Sequence, residues 1–326
     1  MDLTALCRER KCAWKAGDSA SLGEASAASG EGCQTFVLRV ARDLIYPISC
    51  LWNEESNRGQ RIRRLSTFVG WQIWKRTLRK PIAVTLFNGK RFLAYPDCQV
   101  SSGVLYTRIP NSGKILFLRK YLSGGTLVDV GANVGSVTLL LADRIQDAVL
   151  FEPNAVAAAR ARDNLASNRL DFKVYEFALS DTTGEICFTC DGPVDVGAHV
   201  ILKGAVRETV TRAVQCMTFD DFLREHAPLP FPVSLIKIDV EGHENSVFRG
   251  MRGFLAEKRP PLVMFEYLER TNLAETLSFF QELEYQVFEL CLNGPKAVAG
   301  RVAPLQDLFA CPLERVPMMG LAGPSS

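Results

Sequence analysis

From Thr126 onward the chain alternates short apolar runs with helix-spaced segments, and this alternation limits the fold more than any other feature. Strand–helix–strand repetition marks βαβ units, which build a mainly parallel sheet covered by helices. Strands are expected at Thr126–Val130, Ala148–Phe151, Phe172–Ala178, Ser234–Val240, Leu262–Tyr267 and Tyr285–Leu290. Helices are expected over Gly135–Ile145, Asn154–Asn168 and Leu273–Leu283. A further one, Phe219–His226, is signalled by the capping pair Thr218 and Asp221. Two β-rich runs, Glu185–Thr189 and Glu208–Gln215, interrupt the alternation as a hairpin-like insertion. The fold class is α/β, a doubly wound and mainly parallel sheet with a small N-terminal helix and hairpin region.

Upstream the character changes. Ala16 to Gly32 is 13 parts in 17 Ala, Gly and Ser, too little apolar surface to offset ordering entropy, so residues 1–33 are expected to be a disordered leader. Residues 34–122 form a distinct region. Between Ser56 and Pro96 it carries ten Lys/Arg and no acid. Arg61 to Leu78 has helical spacing, with Ile62, Leu65, Phe68/Val69 and Ile73 on one side and Trp71 and Trp74 nearby. Pro81 ends it. Ile82–Phe87 and Lys90–Tyr95 then flank Asn88-Gly89, the dipeptide suited to a type I′ hairpin turn. Residues 123–312 make up the α/β domain, and 313–326 a tail.

The first strand runs into Val128-Asp129-Val130-Gly131-Ala132-Asn133-Val134-Gly135. Two glycines let this turn tighten and approach a ligand closely, at the switch point where doubly wound sheets bind nucleotides. The dinucleotide fingerprint G-x-G-x-x-G is absent. Asp129, two residues before the first glycine, suits a cationic ligand better than a pyrophosphate. Glu152, at the tip of the second strand in Phe151-Glu152-Pro153, is placed to accept two ribose hydroxyls. An adenosine ligand with a positive group satisfies both acids, and S-adenosylmethionine is such a molecule.

A third motif, Leu235-Ile236-Lys237-Ile238-Asp239-Val240-Glu241-Gly242-His243-Glu244, puts an acid at the tip of the fourth strand and polar residues on the following loop. The order VDVGANVG, FEPN, ALSD and IKIDVEGHE, preceded by TLFNGKRFLAYPD, resembles the FkbM family of S-adenosylmethionine-dependent methyltransferases over roughly Pro81 to Leu290. The resemblance implies a class I methyltransferase-like fold and O-methyl transfer to a hydroxyl of a sugar, glycolipid or polyketide-like molecule. It implies that Asp129, Gly131, Asn133, Gly135 and Glu152 line the cofactor site, with Ala132 and Pro153 inside the same motifs. Ala178, Leu179 and Ser180 match the stretch bordering the adenine.

Methyl transfer from a sulfonium depends mainly on positioning, and a hydroxyl acceptor benefits from a base. Candidates are Asp239, which also faces the methyl donor, with Glu241 or His243 toward the acceptor; Glu244 ends the same motif, and Glu266, at the tip of the fifth strand in Met264-Phe265-Glu266-Tyr267, is a further candidate to reach the acceptor. Asp239, Glu241 and Glu266 are oxygen ligands that Mg²⁺ accepts, but nothing in the spacing fixes a geometry, so no metal is assigned. Cys187-x-x-Cys190 lacks a partner pair and is read as ordinary thiols. An NAD(P)-dependent oxidoreductase or a non-catalytic S-adenosylmethionine-binding module are the alternatives.

The 38 Lys+Arg against 36 Asp+Glu argue against a strongly basic nucleic-acid binder. Phe36 to Trp52 is broken by Arg39, Arg42 and Asp43 and makes no spanning helix. No secretory signal is visible, so a cytoplasmic protein with reduced thiols is expected. The basic segment 58–80 reads as a solvated face or as a peripheral contact with an anionic membrane. The acceptor is a small molecule or glycan, with no specific nucleic acid expected.

Overall fold

The computed structural model describes residues 48, 51, 52, 57, 59–109, 112–189, 199, 200, 211–226, 228–291 and 293–321. The expected leader, Cys190 and most of the insertion Asp191–Arg212 lie outside them. The chain divides into two units, one of residues 1–82 with 94–112, the other of residues 83–93 with 113–326. The division cuts across the expected 34–122 region, because the hairpin turn and the helix after Ser112 pack within the larger unit.

The smaller unit is built on helix α1 (Arg61–Thr77). Its Phe68 and Trp71 are buried, while Ile62, Val69 and Ile73 remain exposed. The expected stripe is therefore split. Apolar residues occupy both sides of this helix, so periodicity alone could not choose the docked side. Strands β1 (Ile82–Thr85) and β2 (Arg91–Ala94) form the expected two-stranded hairpin. Helix α2 (Gln99–Thr107) packs against α1: the Trp71 indole donates to Ser102 Oγ at 2.9 Å and the Phe68 and Tyr106 ring centroids lie 5.2 Å apart.

The larger unit begins with α3 (Ser112–Tyr121) and then alternates as the sequence implies. It contains β3 (Thr126–Val130), α4 (Ser136–Leu141), β4 (Asp147–Phe151), α5 (Ala155–Ala166) and β5 (Lys173–Tyr175). The expected third strand ends early. Its last residue, Ala178, begins β6 (Ala178–Leu179), which joins β7 (Gly184–Thr189), β8 (His199–Val200) and β9 (Thr211–Met217) in a second sheet ordered β6-β9-β7-β8. The insertion is thus more than a hairpin. Next come α6 (Phe219–Glu225), β10 (Val233–Ile238), α7 (Glu244–Gly250), α8 (Arg252–Lys258) and β11 (Val263–Tyr267). Helix α9 (Leu273–Glu282) leads to β12 (Tyr285–Cys291), β13 (Gly294–Ala297) and β14 (Gln306–Pro312). A 3₁₀ helix, Leu313–Met319, follows where a tail was expected, with Val316, Met319 and Leu321 buried.

The main sheet runs β13-β12-β14-β11-β10-β3-β4-β5. Strands β11, β10, β3, β4 and β5 are parallel, and β14 enters antiparallel between β11 and β12. Chain order reverses between β3 and β10, so the crevice beyond their C-terminal ends is the topological switch point. Alternation along each strand sorts the core. Val128, Val130, Phe151, Ile236, Ile238 and Phe265 join one apolar cluster with residues of α6, α7 and α9. There Phe151 meets Tyr175, Phe177, Phe219 and Phe222 at centroid distances of 4.9 to 6.1 Å. Each fully buried phenylalanine contributes about 1.5–3 kcal/mol relative to exposure. The alternate positions Asp129 and Lys237 face the other way, opposite each other in the β3–β10 register.

Candidate active site at the strand tips

At the switch point the glycine turn folds as the spacing requires. Gly131, Asn133 and Gly135 have φ of 70°, 50° and 75°. A Cβ on Gly131 would lie 1.9 Å from the backbone oxygen of Asp239, so this glycine first serves close packing of the turn against the end of β10. The amides of Gly131 and Ala132 donate to Phe151 O at 2.9 and 3.1 Å, tying the turn to the tip of β4.

Asp129 is fully buried. It accepts a hydrogen bond from Thr138 Oγ1 at 2.6 Å, and its other oxygen lies 3.2 Å from the Lys237 ammonium. The positive partner that the sequence argument sought in a ligand is supplied from within the protein. Lys237 also donates to Gly131 O at 2.6 Å and Val130 O at 3.2 Å, and stands 3.9 Å from Asp239. Burial pulls its pKa down more than any single neighbour raises it, yet Asp129, Asp239 and Glu152 together carry it above the ordinary lysine value. The ammonium is therefore a fixed charge that neutralises β3 and braces the glycine turn. Sequence reasoning assigned it no role. The legible signal was a lysine inside an apolar strand, Leu235-Ile236-Lys237-Ile238, in the alternation phase that faces Asp129.

Glu152 is nearly fully buried and accepts the Asn133 amide at 2.8 Å and the Asn154 amide at 2.9 Å, one on each oxygen. Burial pushes its pKa up, against these two amides and Lys237, which pull it down. A carboxylate has about four acceptor sites, so two remain. An acid with spare acceptor capacity, beside a turn that carries no side chain at Gly131 or Gly135, fits an adenosine-type ligand. Pro153 is partly exposed beside it. Ala178 and Leu179 form β6. Ser180 is buried, its amide donating to Met217 O at 3.0 Å.

The polar residues after β10 separate into two groups. Asp239, Glu241 and Glu266 each bring one carboxylate oxygen within 4.8 Å of the others. Glu266 comes from the far end of β11 and is buried. Arg270 holds the Glu241 turn, donating to Glu241 O at 2.6 Å and standing 3.5 Å from its carboxylate. These three oxygens form a donor set of the kind a hard divalent cation accepts.

His243 belongs to the second group. Its Nε2 lies 2.9 Å from Ser180 Oγ, which itself sits 3.2 Å from Asp181. Arg249 donates to Asp181 at 2.8 and 3.0 Å. Burial, more than its charged neighbours, lowers the His243 pKa, with Asp181 opposing and Arg249 adding to the effect. The imidazole is thus neutral near pH 7. Glu244 is fully buried and accepts the amides of Val240 and Gly242 at 3.2 and 3.0 Å, which fixes the loop itself.

A doubly wound sheet with two antiparallel strands, β13 and β14, toward one edge, a short glycine turn and an acid at the second strand tip defines a Rossmann-like domain of the class I methyltransferase kind. Residues 129–287 match the family model described as the methyltransferase FkbM domain. The hexuronic acid methyltransferase AglP of Haloferax volcanii is 29% identical over 142 residues, which is 43% of this chain and 55% of the relative. The match therefore spans about half of that protein's length. The crystal structure of methyltransferase FkbM from Methylobacillus flagellatus is 13% identical, covering 77% of this chain and 60% of its own, with a TM-score of 0.38. An S-adenosylmethionine-dependent methyltransferase from Agrobacterium tumefaciens is 12% identical, covering 71% of this chain and 69% of its own, with a TM-score of 0.41. Among the described residues no helix is long and apolar enough to cross a membrane.

Proposed function

We propose that the chain transfers a methyl group from S-adenosylmethionine to a hydroxyl of a sugar-type small molecule or glycan. The observation that carries this reading is the division at the strand tips: a turn and acid suited to an adenosine ligand on the β3–β4 side, and a carboxylate cluster on the β10–β11 side. The family match and the sugar-acid activity named for the Haloferax relative support it.

S-adenosylmethionine, when bound, supplies an electrophilic methyl carbon on a sulfonium. Glu152 accepts hydroxyl hydrogen bonds from the adenosine moiety, beside the Gly131–Gly135 turn that packs tightly against the end of β10. Lys237 fixes the turn through its carbonyl contacts. Asp239, at the end of β10 and partly exposed, is placed to orient the acceptor hydroxyl and take its proton. Glu241 and Glu266 hold the acceptor from the other side. A second anion would be repelled by this cluster, which favours a neutral hydroxyl over a carboxylate oxygen as acceptor. His243, engaged with Ser180, serves to hold the loop beside the β6 strand.

The test is incubation of the purified protein with S-adenosylmethionine carrying a labelled methyl group and a panel of neutral sugars, glycolipids and uronic acids. The reading expects label in a methyl ether that survives mild alkali, and loss of it in Asp239→Asn. Label released as methanol by alkali would place the acceptor at a carboxylate. Absence of S-adenosylmethionine binding, or tighter binding of NADH, would overturn the methyltransferase reading.

A further inference from the structure

Among the described residues, helix α1 packs through one side. Phe68, Trp71 and Gln72 are buried, with Gln72 Nε2 donating to Tyr106 Oη at 3.2 Å on α2. On the opposite side Ile62, Val69 and Ile73 are 85%, 50% and 59% exposed. At roughly 100° per residue these three fall within about 40° of one another around the helix axis. Trp52, upstream of the helix, is also exposed, with the Arg61 guanidinium 5.0 Å from its ring centroid. A single exposed aliphatic residue is ordinary; an aligned row on one helix marks an interaction surface.

Charge surrounds this row. Helix α1 carries Arg61, Arg63, Arg64, Lys75 and Arg76 and no acid, and Arg79 and Lys80 follow it. Arg108, at the end of α2, adds to the group. Among the described residues no carboxylate pairs with Arg61, Arg63, Arg64, Arg76, Arg79 or Arg108. The guanidinium groups feel each other instead: Arg108 is destabilised in its charged form by burial first and then by Arg64 and Arg63.

Three occupants suit an apolar row bounded by arginines. A second copy of the same face would oppose like charges across the contact, which is unfavourable. Single-stranded RNA rewards cations and stacking aromatic rings, and gains nothing from Ile62, Val69 and Ile73. An anionic lipid surface uses both features, taking the aliphatic side chains below the headgroups and meeting the arginines with phosphates.

We propose that α1 is a peripheral membrane-docking helix, with Ile62, Val69 and Ile73 inserted into the interface and Arg61, Arg63, Arg76, Arg79 and Lys80 on anionic headgroups. This stands independently of the methyl-transfer reading, because none of these residues belongs to the strand-tip site.

The experiment is flotation of the full chain with phosphatidylcholine vesicles and with the same vesicles doped with phosphatidylglycerol. Binding to the doped vesicles is expected, and much less to the neutral ones. Ile62→Ser/Val69→Ser/Ile73→Ser should weaken it more than tenfold, and Arg63→Gln and Arg79→Gln by about fivefold each. All substituted side chains are solvent-exposed, so thermal unfolding should match the wild type and separate loss of docking from loss of fold. Failure to float with doped vesicles, or flotation unchanged by the serine substitutions, would overturn the proposal. Binding of polyuridine abolished by the arginine variants alone would assign the face to RNA. A dimer in sedimentation that the serine variant dissolves would assign it to a second copy.

Discussion

The two sides of the strand-tip crevice treat their acids in opposite ways. On the β3–β4 side, Asp129 and Glu152 are buried and answered at short range by Lys237, Thr138 and backbone amides. On the β10–β11 side, Asp239, Glu241 and Glu266 crowd their oxygens together, with Lys237 3.9 Å from Asp239 and Arg270 3.5 Å from Glu241. Like charges so close repel. A network satisfied internally suits a site that must be rigid before its ligand arrives. A cluster of crowded carboxylates suits a site that exchanges protons or holds a cation.

The largest break in this contrast should come from Lys237→Met. It leaves Asp129 buried without its cation, which costs about 3–5 kcal/mol when one partner of a buried pair is removed. Urea unfolding of the variant checks this, and pairing it with Asp129→Asn should recover much of the loss. If the single variant unfolds like the wild type, the ammonium does not brace the turn. On the other side, Asp239→Asn should leave stability nearly unchanged and lower kcat by about 10²–10⁴, the usual range for a lost acid–base group. A fall in S-adenosylmethionine affinity with intact turnover would instead move Asp239 to the cofactor side. His243→Ala should cost far less turnover than Asp239→Asn, measured under the same saturating conditions.

A smaller effect sharpens the comparison by contrast with a solvent-facing ion pair. Asp143 pairs with Arg119, with Asn88 of the hairpin turn nearby, and its pKa falls from 3.8 to about 2. The Arg119 hydrogen bond is the main cause, opposed by burial. A depressed carboxylate contributes stability above its unfolded pKa and loses it as pH falls through the folded one. The Asp143 contribution is therefore present at neutral pH and fades between about pH 4 and pH 2. Because the carboxylate is about a third exposed, solvent screening reduces it to about 1 kcal/mol or less. Asp143→Asn should flatten the acid limb of a stability–pH curve by that amount, several-fold less than the cost of Lys237→Met at neutral pH.

The parts of the fold that were readable in the sequence are those governed by local pattern. The run Val128-Asp129-Val130-Gly131 names a strand and its turn by itself, and Thr218 does accept the Asp221 amide at 2.9 Å as a helix cap. Strand β14 was not readable. Its partners β11 and β12 are earlier in the chain, and Gln306–Pro312 has no pattern of its own that demands an antiparallel place between them. Helix α2 was missed for a related reason: its first turn is capped through the Cys98 sulfur, which accepts the Ser101 amide, not through the usual Ser, Thr, Asp or Asn. The acids of the crevice were legible by type and position. Their arrangement into a buried network around Lys237 and a crowded carboxylate cluster was not, because it depends on Lys237 reaching across from β10 and on Glu266 arriving from β11.

The central claim, that the two sides divide cofactor holding from acceptor chemistry, is tested most directly by calorimetric titration of S-adenosylmethionine into the wild type, Glu152→Gln and Glu241→Gln. Loss of the charge-assisted acceptor in Glu152→Gln should weaken binding about tenfold or more, while Glu241→Gln should bind within about twofold of the wild type, as expected for a residue without cofactor contact. Equal weakening in both variants, or none in Glu152→Gln, would contradict the division.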